Sequence, residues 1–177
     1  MARPSLLGFL LLAACSGERS AETPAESADS PQTLPLTRTD GREAGSVTIA
    51  EDATGLTVRL EAVGLEPGPH AVHFHTIGRC EAPAFDSAGP HWNPTGKQHG
   101  RDNPRGSHLG DLANIDAGAD GRAQSTFGLP GVRLTAGDRP LVDLDGAALV
   151  IHAKADDYKT DPSGASGDRV ACAVLEE

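Results

Sequence analysis

The chain reads as an all-β protein, a sandwich or barrel of short strands, on three observations. Apolar residues recur with a period of two, turn-forming residues punctuate them at short intervals, and no stretch after the N-terminal segment carries the 3.6-residue periodicity of an amphipathic helix. The alternation is cleanest in Leu56-Thr57-Val58-Arg59-Leu60-Glu61-Ala62, where the even positions are apolar and Thr, Arg and Glu take the odd ones. That is a strand with one wet face. Val47 and Ile49 alternate likewise, and Glu51-Asp52-Ala53-Thr54-Gly55 supplies the turn between the two runs. A second hairpin is predicted at Asp120-Gly121, between Leu112–Asp116 and Arg122–Phe127. Ala148-Leu149-Val150-Ile151-His152 and Arg169-Val170-Ala171-Cys172-Ala173-Val174-Leu175 are almost continuously apolar, which predicts two buried strands late in the chain.

At 177 residues there is room for one ordinary domain and short extensions. Arg3, the apolar run Leu6–Leu12 and the small pair Ala13-Ala14 read as a secretory signal over residues 1–14, too short for a membrane span. Cys15 directly after the small pair resembles a bacterial lipobox, which implies cleavage before Cys15 and lipid attachment to it. The implied location is the bacterial cell envelope, with the protein exported and lipid-anchored to a membrane facing the periplasm. Residues 16 to about 35 are rich in Ser, Ala, Glu and Pro and lack large apolar residues before Leu34, so 15–35 is expected to be a lipidated cysteine and flexible tether, and 36–177 the folded domain. Three cysteines leave an odd thiol in an oxidising compartment; with Cys15 assigned to lipid, Cys80 and Cys172 remain as a pair for a disulfide. Formal net charge is −10, and loss of Arg3 with the signal makes the mature chain one unit more negative. Such a chain is a poor nucleic-acid binder, and an anionic substrate needs a local positive site to approach it.

The seven histidines all fall between residues 70 and 152. His73 and His75 are two apart on a predicted strand, so both imidazoles share a face and could chelate one ion. His91, His99 and His108, with Asp111 three residues on, offer three imidazoles and a carboxylate, a four-coordinate set acceptable to zinc. Neutral imidazoles suit copper and zinc alike. His152 ends a strand with nothing local to bind. The three middle histidines and Cys80 sit in a Pro/Gly-rich segment of about thirty residues without periodicity, and a loop that long in a compact domain is usually functional or disordered. Metal ligands and a disulfide would order it.

Six strings carry a resemblance to the copper/zinc superoxide dismutase family. They are His70-Ala71-Val72-His73-Phe74-His75, Ser87-Ala88-Gly89-Pro90-His91-Trp92-Asn93-Pro94, His99-Gly100, His108-Leu109-Gly110-Asp111-Leu112, His152-Ala153-Lys154-Ala155-Asp156-Asp157 and Gly167-Asp168-Arg169-Val170-Ala171-Cys172. They stand in family order over roughly residues 36–177 and resemble the bacterial branch. The resemblance implies a Greek-key β-sandwich or flattened barrel with a long metal-binding loop anchored by the disulfide. It implies copper ligands His73, His75, His91 and His152, and zinc ligands His91, His99, His108 and Asp111, with His91 bridging both ions. His70 is then a structural hydrogen-bonder and Asp156 an outer carboxylate bonding His73 and His99. Arg169 and His91 are the implied catalytic residues, Arg169 offering fixed charge to a small anion and His91 relaying a proton.

The implied reaction is conversion of two superoxide anions to dioxygen and hydrogen peroxide by copper redox cycling. A non-catalytic copper/zinc-binding lipoprotein on the same fold is the alternative; it predicts missing ligands or a missing arginine, and this chain has them all. A zinc hydrolase needs an open zinc position and a nearby general base, and no H-E-x-x-H occurs. The stretch Tyr158–Ser166 is short and lacks a cluster of steering charges, leaving Lys97 and Lys154 as the cations to consider. The sequence leaves open whether the protein is a monomer or a homodimer.

Overall fold

The computed structural model describes Met1 and residues 30–176. The signal, Cys15 and most of the tether lie outside the described residues. Nine strands follow: β1 (Gln32–Arg38), β2 (Glu43–Asp52), β3 (Gly55–Ala62), β4 (Gly68–His70), β5 (Val72–His75), β6 (Ile115–Ala117), β7 (Ala123–Pro130), β8 (Ala147–His152) and β9 (Arg169–Leu175). Among the described residues there is no α-helix, only a 3-10 turn at Asp86–Ala88.

Seven strands form one antiparallel sheet in the order β5-β8-β9-β1-β2-β3-β7, and β4 pairs with β6. β4 and β5 are separated only by Ala71, so they act as one interrupted strand that pairs with β6 at its start and β8 at its end. The sheet thereby curls almost closed, the flattened Greek-key barrel that the family resemblance implies. Among the described residues β6 and β7 are not laddered to each other, although a tight turn joins them.

The predicted hairpin at Asp120-Gly121 is half right. The turn is present, with Gly118 N–H donating to the Arg122 carbonyl at 2.9 Å. Its flanking strands, however, join different partners, β6 with β4 and β7 with β3, because closing the curled sheet pulls them apart. The tether also ends earlier than expected. β1 begins at Gln32 and includes Pro35, which the composition assigned to flexible chain. Proline is tolerated there because β1 meets β9 only at Thr37 and Arg38, leaving its first half open on that side.

β3 buries every even residue, and the hairpin to β2 turns on Asp52, whose Oδ1 accepts the Thr54 N–H at 2.7 Å. The core gathers Leu36, Val47, Val58, Leu60, Phe74, Leu149, Ile151 and Leu175, with each fully buried large side chain contributing about 1.5–3 kcal/mol. β8 is buried at all six positions, and the reason lies in the long loop. Leu149 and Ile151 face the barrel core, whereas Ala148 and Val150 face a second apolar cluster with Phe85, Ala88 and Cys172. The loop therefore roofs the outer face of β8 and β9, tied there by the Cys80–Cys172 disulfide, whose Cα atoms are 5.8 Å apart.

Candidate metal centre

The roofing loop returns along β5 and closes a small hydrogen-bond ring around Phe74. Trp92 N–H donates to the Phe74 carbonyl (2.7 Å), Phe74 N–H to Gly110 (2.9 Å) and Gly110 N–H to Trp92 (3.0 Å). A side chain on Gly110 would press on the carbonyls of Phe74 and Trp92 at 2.8 and 2.9 Å, so the ring requires glycine there. The ring sets His91 opposite His75 and Asp111 opposite His73 as single bridges beside β5. His152 arrives from β8, whose ladder with β5 pairs His73 with Val150 and His75 with Ala148. Residues far apart in sequence thus meet on the outer face of the sheet, beneath the loop.

His73, His75, His91 and His152 each offer one atom to a set whose members all lie within 4.8 Å of one another. The tautomers are fixed from behind. His73 Nε2 donates to Asp156 Oδ2 at 2.9 Å, His75 Nδ1 to the Gly89 carbonyl at 2.8 Å and His152 Nδ1 to the Gly167 carbonyl at 3.2 Å. That leaves His73 Nδ1, His75 Nε2 and His152 Nε2 buried without any hydrogen-bond partner. Buried polar atoms are nearly always paired, so three lone pairs converging in a buried site fit a cation that prefers nitrogen. Burial keeps these imidazoles neutral: it lowers His75 to about 2 and His152 to about 3.

A second set adjoins the first. Asp111 Oδ1 has His91 Nδ1 at 3.1 Å, His99 Nδ1 at 3.0 Å and His108 Nδ1 at 3.0 Å. These separations are close to the edge of a tetrahedron with zinc-like bonds, about 3.3 Å. His99 Nε2 donates to Asp156 Oδ1 at 2.9 Å, which turns its Nδ1 toward Asp111. The group of mutually close donors here is His73, His91, His99 and Asp111, with His73 in both sets because the two clusters share a wall. His108 lies outside that mutual group yet touches the carboxylate that organises it. His91 uses Nδ1 toward Asp111, which leaves Nε2 for the first set. Burial opposes a proton on His99, but the carboxylates of Asp111 and Asp156 outweigh it and push the ring up to about 9.

His70 is turned away, its ring between the carbonyls of His152 and Glu66 at 2.7 Å each. Arg169 is half-buried and donates to Phe85 (2.6 Å) and Gly89 (2.8 Å), so the Gly89 carbonyl serves both the arginine and His75. A cavity of about 540 Å³ opens at this point, lined by Pro83, Asp86, Gly167, Asp168 and Arg169. Another, about 560 Å³, lies against His91 and His108 and includes Lys97. Sequence reading missed several supporting groups. Asn114 brackets the Asp156 backbone, accepting its N–H at 2.8 Å and donating to its carbonyl at 3.0 Å. Gly164, in left-handed conformation, packs so tightly that a side chain would overlap Asp156 and approach His99 Nε2 to 2.6 Å.

Comparison with known proteins identifies the family. Residues 43–175 match the family model described as copper/zinc superoxide dismutase. A superoxide dismutase [Cu-Zn] of Caulobacter vibrioides is 48% identical over 140 residues, covering 77% of this chain and 80% of that protein. A superoxide dismutase [Cu-Zn] 2 of Aquifex aeolicus is 39% identical over 172 residues, 96% of this chain and 95% of its own length. Among solved structures, a double mutant of a SOD-like protein from Bacillus subtilis superposes with a TM-score of 0.78 at 40% identity, covering 82% of this chain and 97% of that one. The Cu/Zn superoxide dismutase from Brucella abortus gives 0.65 at 28% identity over 82% and 99%. The chain belongs to the copper/zinc superoxide dismutase family, an oxidoreductase with copper and zinc as its cofactors.

Proposed function

We propose that the protein removes superoxide, converting two anions to dioxygen and hydrogen peroxide. His73, His75, His91 and His152 hold copper, and His91, His99, His108 and Asp111 hold zinc. The observation that carries this reading is the set of buried imidazole nitrogens without partners, each aimed by a hydrogen bond on the opposite ring atom. When bound, copper supplies the one-electron couple for both half-reactions, and zinc, which has no redox chemistry, supplies a closed shell and a fixed charge. His91, with Nδ1 toward Asp111, holds and hands on a proton at Nε2. Asp156 joins His73 to His99 and fixes both rings. Arg169, oriented by the Phe85 and Gly89 carbonyls, presents positive charge to the incoming anion where Asp86 and Asp168 would otherwise repel it. Lys154, whose stem runs beside Gly167, and Lys97, in the neighbouring cavity, add to that field.

The N-terminal sequence, with its apolar run and Cys15 after a small pair, supports an exported protein anchored by lipid at Cys15 to a membrane facing the periplasm. Substituting Cys15→Ser should abolish lipid labelling and release the protein from the membrane fraction; unchanged retention would sink the anchor.

The deciding experiment is metal analysis of dialysed mature protein together with a superoxide-removal assay. One copper and one zinc per chain with activity is expected. A relative of similar identity is named only superoxide dismutase-like, YojM of Bacillus subtilis, 41% identical over 143 residues. Fully metallated but inactive protein would therefore favour a non-catalytic copper/zinc-binding role. Arg169→Ala should keep both metals and slow the reaction about tenfold or more, with weaker dependence on ionic strength.

A further inference from the structure

On the two-metal reading, one carboxylate, Asp156, couples the copper-side His73 to the zinc-side His99, so whatever fixes that carboxylate fixes both sites. We propose that Tyr158, with Arg101 laid over its ring, is the positioning residue that sets Asp156. Two separate contacts lead from the tyrosine to the aspartate. Its main-chain N–H donates to Asp156 Oδ1 at 2.7 Å, on the same oxygen that receives His99. Its hydroxyl accepts the Asn114 main-chain N–H at 2.8 Å, and Asn114 is the residue whose side-chain amide clamps the Asp156 backbone from both sides. Tyr158 therefore holds the aspartate directly and also holds the residue that holds it.

The backbone is arranged for this. Tyr158 sits at φ 59°, a left-handed conformation that a tyrosine rarely adopts and that persists only where surrounding contacts impose it. The guanidinium of Arg101 lies 3.7 Å above the ring centroid, within the range of a cation–π contact. Arg101 follows Gly100, whose N–H donates to Asp111 Oδ2 at 3.0 Å and whose lack of a side chain lets the Tyr158 carbonyl come against it. Asp102 N–H then donates to that carbonyl at 3.0 Å. The stack consequently staples the zinc-side loop to the segment carrying Asp156. Tyr158 belongs to neither apolar cluster, so packing of the core does not account for it.

The test uses the mature chain and three variants: Tyr158→Phe, which keeps the ring and removes the acceptor; Arg101→Met, which keeps the stem and removes the cation; and Asp156→Asn as the reference. Dissociation constants for Cu(II) and Zn(II) come from competition with a chromophoric chelator. The Cu(II) visible band of the loaded protein and the unfolding midpoint of the metal-free protein complete the set. Tyr158→Phe should weaken both metals together by about tenfold, as loss of an outer-shell partner does, and shift the Cu(II) band in the direction of Asp156→Asn. Arg101→Met should do the same to a smaller extent. Wild-type affinities and an unchanged band in Tyr158→Phe would overturn the proposal, whether or not its metal-free form unfolds earlier. Should that variant fail to fold, wild-type affinities and band in Arg101→Met would overturn it instead. A wild-type chain that takes up neither metal would sink the two-metal reading itself, a result separate from any of these.

Discussion

The two halves of the histidine cluster are built on different principles. His73, His75 and His152 stand on β5 and β8, where ladder pairing of His73 with Val150 and His75 with Ala148 sets their backbone before any ion arrives. His91, His99 and His108 stand on irregular chain and are held by isolated bonds, such as His99 N–H to Asp161 Oδ1 at 2.7 Å and His108 N–H to Asp111 Oδ2 at 3.0 Å. Their electrostatics differ as well. Burial leaves the strand-borne rings neutral and lowers His91 to about 4 as well, whereas two carboxylates raise His99 to about 9, so without metal His99 carries a positive charge beside Asp111 and Asp156. A sheet fixes its imidazoles by ladder pairing; a loop does so through isolated hydrogen bonds and close-approach glycines.

The most severe way to separate the halves is His73→Ala. It should abolish copper binding and superoxide removal while most zinc is retained, read by metal analysis and the activity assay; full activity in the variant would break the assignment. Next, Cys80→Ser frees the loop from β9. The metal-free protein should lose up to about 4–5 kcal/mol on the chain-entropy model, measured by denaturant unfolding, and zinc affinity should fall further than copper affinity. Equal losses at both sites would mean that the strand-borne half also depends on the loop. Gly164→Ala is smaller: overlap with Asp156 and a left-handed backbone should cost about 1–3 kcal/mol and weaken zinc, read by thermal unfolding with and without the ion. Smallest is a proton count. His99 raised to about 9 is protonated at pH 7.5 in the metal-free protein and must be neutral to bind, so zinc uptake should release about one proton. Copper binding to the already neutral strand-borne rings should release fewer, and calorimetry in buffers of different ionisation enthalpy distinguishes the two.

Much of this was legible in the chain. Alternation at Leu56–Ala62 gives β3 with its buried even positions, and the unbroken apolar run at Ala148–His152 gives β8. The spacings make His73 with His75, and His91, His99 and His108 with Asp111, visible as candidate ligands, whereas His152 and the division into two sites came only from the family resemblance. The start of β1 was not legible, because Gln32–Pro35 carries only one large apolar residue and a proline that an open strand edge happens to tolerate. Nor was the fate of the Asp120-Gly121 hairpin, whose turn chemistry is local while the partners of its strands are chosen by closure of the sheet. Asn114, Tyr158 and Gly164 escaped for a related reason. Asn114 and the Tyr158 hydroxyl act through contacts more than forty residues away, and Gly164 through space that only glycine leaves empty, and neither has a spacing that a sequence displays.

By itself the sequence determined the fold class and the cysteines that join, and with the family resemblance it named the candidate ligands, because periodicity and side-chain chemistry are properties of the letters. Only the tertiary structure decided which nitrogen of each ring faces inward. That choice depends on the group behind the ring, the Gly89 carbonyl for His75, Gly167 for His152 and Asp156 for His73 and His99, and those groups arrive from elsewhere in the chain.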